Sequence, residues 1–161
     1  MAEALYNILV HSFHPDKTLR MQAEEALKQF LCTDPTALSS LLAIVKNRDV
    51  AVDLRKAAAI QVKNTVNPCW NPRDNNAGLS DAHKDMVKSE IVMTILDEND
   101  NSIRRLLAES FRKIVQYDYP ERWPGLLPAI LSMAQTDVVL RMHNSLVLLR
   151  QVAKRFEMKG R

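Results

Sequence analysis

Apolar residues recur at three- and four-residue intervals along most of the chain, separated by polar residues and by short breaks rich in Pro, Asp and Asn. That period predicts amphipathic helices, each with one stripe turned toward a core. Leu5, Ile8, Leu9 and Phe13 form the first stripe, over 3–13. Leu19, Ala23, Ala26, Leu27, Phe30 and Leu31 form the second, over 17–31. Leu38, Leu41, Leu42 and Val45 mark a third helix over 36–46, and Leu54, Ala58, Ile60, Val62 and Val66 a fourth over 50–66. An irregular segment, 67–79, carries Pro68, Pro72 and Gly78, which are turn formers. A fifth helix then starts at Ser80-Asp81 and reaches Leu96, and a sixth covers 101–117. Pro120 and Pro124 bracket a corner, a seventh helix follows to Ala134, and the eighth runs from Asp137 to Phe156. Asp16, Asp100 and Asp137 each stand three residues before a Leu/Ile-Arg dipeptide, and at Asp16 and Asp100 the carboxylate can accept from the free N–H groups of the next helix.

Short turns between these helices predict antiparallel pairs covering 3–31, 36–66, 80–117 and 124–156. Four of the helices also open alike, with Leu19-Arg20, Leu54-Arg55, Ile103-Arg104 and Leu140-Arg141, about 35 to 50 residues apart. Such recurrence means a stacked array, in which each pair buries its face against the next. The expected fold is all-α, a right-handed α-solenoid of four helix pairs.

The repeated dipeptide sets a register. Eight residues after its first member stand Leu27, Val62, Phe111 and Leu148; twelve after, Leu31, Val66, Val115 and Val152. Both columns belong to the core. Four after stand Ala23, Ala58, Leu107 and the polar Asn144. Half a turn away the residues are Lys28, Lys63, Arg112 and Leu149, with Met21, Lys56, Arg105 and Met142 beside them. This predicts a basic row on the exposed face of each pair's second helix, along the inner wall of the curved array, suited to an acidic partner. The recurring Arg lies at the edge of the buried stripe. There it can lay its stem on the core and bond a neighbouring repeat, a structural role.

Composition narrows the classes. The chain has 161 residues, 47% hydrophobic and 25% charged, enough to bury a core. Its net charge of +3 is weak for a nucleic-acid binder. Cys32 and Cys69 make no disulfide framework and suggest a reducing compartment. No apolar run approaches the roughly 20 residues of a membrane span, and the N-terminus lacks the blocks of a signal peptide. Chemistry is not evident either. Gly78, Gly125 and Gly160 are too scattered to cradle phosphate, and His11, His14, His83 and His143 lack metal-ligand spacing. No catalytic residue, cofactor or metal is expected.

Two words carry more. Leu54-Arg55-Lys56-Ala57-Ala58-Ala59-Ile60-Gln61-Val62-Lys63-Asn64, followed by Trp70, resembles the N-terminal signature of the importin-β (karyopherin-β) transport receptors. Asp118-Tyr119-Pro120-Glu121-Arg122-Trp123-Pro124-Gly125-Leu126-Leu127-Pro128 is similar to that family's corner after its third repeat. Its Asp-Tyr-Pro-x-Arg-Trp form resembles the importin-seven/importin-eight branch most. In physical terms, Tyr119 and Trp123 are expected to fill the seam between repeats while the prolines fix the chain direction.

The resemblance implies a single N-terminal domain of HEAT repeats over 1–161, and a non-enzymatic receptor that carries protein cargo into the nucleus. It implies binding of the GTP-bound GTPase Ran through the second helices. The candidate contacts are Lys28, Lys63, Asn64, Arg105 and Arg112; Lys63 and Asn64 belong to the family word, and the other three follow from the register. Shuttling between cytoplasm and nucleus is implied too. Receptors of this family continue for many more repeats, so a piece of a longer receptor is expected, with cargo and most nucleoporin sites beyond it. The apolar flank of helix eight, Val138, Leu146, Leu149 and Val152, is then expected to pair with a second copy. The competing readings are a nucleic-acid-binding or a scaffold HEAT-repeat protein using the basic face. A repair glycosylase, the enzymatic version, would need a pocket carboxylate and stacking aromatics that the chain does not offer.

Overall fold

The structure, a computed structural model, describes residues 2–72 and 78–157. It is all-helical among those residues: α1 (Ala2–His11), α2 (Lys17–Thr33), α3 (Ala37–Lys46), α4 (Val52–Trp70), α5 (Asp81–Leu96), α6 (Asn101–Asp118), α7 (Leu126–Ala134) and α8 (Val139–Glu157). Each odd helix packs on the even helix that follows it. The first helices form one layer, α1 on α3 on α5; the second helices form the other, α4 on α6 on α8. The architecture is an α-solenoid.

One apolar core runs through the array. Leu5, Leu41, Val62, Ile91, Ile95, Leu107, Phe111 and Leu148 are all fully buried. Each such side chain contributes about 1.5–3 kcal/mol by leaving water. The two core columns of the register hold except at their N-terminal end, where Leu31 is only half-buried.

Local chemistry sets the helix ends. The Asp16 carboxylate accepts from the N–H groups of Thr18 and Leu19 at 2.8 and 3.2 Å. Asp100 does the same for Ser102 and Ile103, both at 2.9 Å. These bonds hold both carboxyls below the ordinary range, the bond from Leu19 being the largest cause at Asp16 and that from Ile103 at Asp100. Before α8 the arrangement differs: Val138 N–H donates to Thr136 Oγ1 at 3.2 Å.

Several expectations change. Helix α4 continues to Trp70, so the irregular segment begins at Asn71 rather than at 67. Pro68 lies in the last turns of α4, where losing one N–H matters little, and Asn71 N–H still closes on Asn67 O at 2.9 Å. Residues 73–77 of the expected irregular segment lie outside the described residues. Helix α1 stops at His11, and tight bonds from Ser12 and Phe13 N–H back to Leu9 and Val10 turn Phe13 outward, 57% exposed. Leu19 and Ile60, expected inside, are about two-fifths exposed, at 41% and 42%. On α8, Val152 belongs to the core and Leu149 is half-buried, leaving Val138 and Leu146 exposed beside Val139 and Met142.

Candidate partner-binding face

Three of the four recurring arginines, Arg55, Arg104 and Arg141, are structural. Arg55 is buried; its Nε donates to Val45 O at 2.7 Å and its Nη2 to Glu98 Oε2 at 2.6 Å. Glu98 is wholly buried and its other oxygen takes Arg48 Nη1 at 2.8 Å and the Asp100 N–H at 2.9 Å. Arg104 Nη1 donates to Glu98 O at 3.1 Å, and Arg141 grips Asp97 through two bonds of 2.8 and 3.1 Å. Asn144, the polar member of its column, donates Nδ2 to Ile95, Leu96 and Glu98 carbonyls at 2.9–3.0 Å. It thereby closes the open C-terminal end of α5. The α5–α6 turn is the hub of these rungs.

The two sequence words meet in space. Lys88 Nζ, buried, lies 2.7 Å from Asp118 Oδ2, and Arg122 Nε donates to Asp118 Oδ1 at 3.1 Å. The Trp123 ring stands under the same ammonium at 5.6 Å and edge-on to Phe111 at 5.8 Å. Trp70 is buried, lies under Lys84 at 5.9 Å, and its indole N–H makes a looser contact with the Asp118 carboxyl. Burial pushes the Asp118 carboxyl up, but Lys88, Trp70 and Arg122 together outweigh it and hold the group below the ordinary range. Beyond this corner Tyr119 stacks edge-on with Phe156 at 6.2 Å, and Arg155 Nε donates to Tyr119 O at 2.7 Å. Trp123 and Tyr119 therefore fill the seam, as the sequence predicts for the corner.

The cations half a turn from the core are distributed over two grooves. Between α6 and α8 a groove of about 560 Å³ is lined by Arg104, Arg105, Arg112, His143, Arg150 and Lys154 against one acid, Glu109. Between α2 and α4 a groove of about 500 Å³ has Leu27, Leu31 and Pro68 in its walls, with Lys28 on one side and Asn64 on the other. Lys63 stands apart from both and lies 3.8 Å from Glu109, each side chain partly exposed at 30% and 42%. So the structure brings Arg105 and Arg112 together, sets Lys28 across from Asn64, and pairs Lys63 within the fold. Sequence reasoning missed His143, Arg150 and Lys154, because the register set by the Leu/Ile-Arg dipeptide selects positions two and nine residues on, and in α8 these are apolar, Met142 and Leu149. The i, i+4 spacing of Arg150 and Lys154 was the available signal.

The groove between α6 and α8 can hold an anionic surface. Guanidinium groups are weakly hydrated forks that bind carboxylates in pairs. Elsewhere the fold spends its cations on its own acids, as at Asp97, Glu98 and Asp118. Among the described residues no group of His, Cys, Asp and Glu could hold a metal ion, and no helix is long and apolar enough to cross a membrane.

Residues 23–110, just over half of the chain, match the family model of the importin-beta N-terminal domain. The chain belongs to that family. Exportin-2 of Dictyostelium discoideum is 27% identical over 153 residues, covering 90% of this chain and 16% of its own length. Importin-8 of Danio rerio is 30% identical over 154 residues, covering 89% of this chain and 15% of its own. The chain thus spans about a sixth of the length of these relatives. Among solved structures, the exportin Cse1 in its cargo-free, cytoplasmic state superposes with a TM-score of 0.86 at 23% identity, over 96% of this chain and 16% of that one. The importin-type domain is therefore a HEAT-repeat solenoid in fold.

Proposed function

We propose that this importin-type domain is the Ran-GTP-binding end of a nuclear transport receptor, a non-enzymatic protein that shuttles between cytoplasm and nucleus. The observation that carries the reading is the cationic groove between α6 and α8, on the face built by the second helices. Arg105 and Arg112 are its central contacts, joined by Arg150 and Lys154. Lys63 contributes by leaving Glu109, since an exposed pair of this kind is worth only about 0–1 kcal/mol. Lys28 and Asn64 extend the same face toward α2. Relatives matched include both an importin and an exportin by name. Import of cargo rests on the Asp118–Trp123 word and its resemblance to an importin branch. Cargo and nucleoporins would be held mainly by further repeats.

Capture with Ran locked in its GTP or its GDP form tests the reading. Retention by the GTP form alone is expected. Reversing Arg105 and Arg112 to Glu together should weaken it at least about tenfold, because a charge at an interface changes from attraction to repulsion. Equal retention of both forms, or an unchanged affinity after reversal, would count against it. The groove also has the charge to grip phosphates, which favours a nucleic-acid ligand as the second reading. That reading predicts binding of RNA or DNA that falls steeply with salt and ignores the nucleotide state of Ran.

A further inference from the structure

We propose that the first helix pair, α1–α2, is an articulated unit that pivots against the rest of the array, opening and closing the groove between α2 and α4. The proposal concerns the chain alone and does not depend on what binds it.

The ties between helix pairs are unevenly placed. The ion pairs that join one pair to another are Arg48 and Arg55 with Glu98, Lys56 with Asp100, Lys63 with Glu109, and Arg141 with Asp97. All of them link the second, third and fourth pairs; among the described residues no ion pair reaches the first. The Asn144 bonds to the α5 carbonyls and the Arg155 bond to Tyr119 add directional links in the same region. In the first pair the recurring Arg, Arg20, makes no bond to the neighbouring second pair among the described residues. Arg20 reaches only His14 O, in its own turn, at 3.5 Å.

The packing agrees. Helices α4, α6 and α8 lie close against one another, whereas α2 makes few close approaches to α4 and is separated from it by the groove of about 500 Å³. Apolar contacts seat the first pair: Leu5, Leu9 and Leu27 enter the common core, and α1 lies on α3 and α4. Hydrophobic contact has no preferred direction, so α1 can roll on α3 while staying buried. A comparable rotation between the second and third pairs would tear Arg55 from Glu98 and leave two buried charges unpaired. The axle is thus the α1–α3 contact, and the moving wall is α2. Lys28 rides on that wall and Asn64 on the fixed one, so the pivot sets the reach of Lys28 relative to the rest of the face.

Spin labels carried on ketone side chains introduced at Lys28 and Asn64, with both native cysteines kept, report the groove width by pulsed dipolar spectroscopy. A second pair at Asn64 and Arg105 reports the α4–α6 contact. The 28–64 distance distribution should be at least about twice as wide as the 64–105 distribution, as expected for a hinged body beside a locked one. Equal widths would overturn the proposal. Hydrogen exchange on the unlabelled chain supplies the second measurement. Amides of α2 should be protected like those of α4; if α2 exchanges as an unfolded segment does, the width is local melting and the hinge is refuted.

Discussion

At the scale of single residues, Asp118 shows how a buried carboxylate can hold two sequence words together. Its oxygens take Lys88 and Arg122, while Trp70 and Trp123 close the space around the pair. The folded protein holds this carboxyl below its unfolded value of about 3.9. The stabilisation it gives is therefore fully present above that unfolded value and is lost as pH falls through the lower, folded value. Asp16 and Asp100 are shifted in the same direction by their cap bonds and add to the effect. The urea midpoint should stay flat from neutral pH down to about 5 and drop below about 4. Asp118→Asn should lower stability at neutral pH by about 1–3 kcal/mol, because the buried Lys88 then keeps only the exposed Asp85 carboxylate at 3.1 Å and Arg122 O at 3.2 Å, and should flatten the acid slope. A variant with an unaltered acid slope would show that the pair contributes nothing. The identity of Lys88 as the partner was not legible from sequence. Asp118 and Lys88 are thirty residues apart and only the folded chain makes them neighbours.

At the scale of elements, the turn between α5 and α6 organises the array. Glu98 is reached from the α3–α4 turn by Arg48, from α4 by Arg55, and through its carbonyl from α6 by Arg104 and from α8 by Asn144. Replacing Glu98 by Gln keeps the size but removes the charge, leaving the buried Arg55 without its counter-ion. The expected loss is about 3–5 kcal/mol in chemical denaturation, against about 0–1 kcal/mol for Glu109→Gln at the exposed Lys63 pair. Equal losses at the two sites would remove Glu98 from its place as hub. The register made the Arg column visible and its place at the core edge gave its structural role. The acid that receives it was hidden, because Glu98 sits in a stretch, Asp97-Glu98-Asn99-Asp100, that reads as a solvated turn.

At the scale of the whole molecule, α8 and the residue before it present Val138, Val139, Met142 and Leu146 at the surface, with exposures of 54, 78, 42 and 55%. An apolar row of this kind is a docking surface when another face covers it. We propose that two copies of this chain associate through it. Light scattering should show a mass that rises with concentration, and Leu146→Glu should abolish the rise. A wild-type mass that stays that of one chain across the concentration series would reject the association.

The periodicity of apolar residues determined the eight helices, their pairing and the core columns, because a helix displays its buried stripe in its own sequence at a fixed interval. The repeated Leu/Ile-Arg dipeptide determined the register, and the two words at 54–70 and 118–128 pointed to the family. Some ends were beyond that signal. Whether Pro68 stops α4 depends on how well Trp70 is anchored behind it, and whether Phe13 turns inward depends on a turn of two residues. Which cations stay free for a partner was decided only by the tertiary structure. Lys63, Arg105 and Arg112 look alike along the chain, yet an acid from α6 comes within 4 Å of Lys63 while the other two open into a groove with α8. Charge pairing acts through space over a few ångströms and steeply with burial, so it is set by neighbours that sequence order does not name.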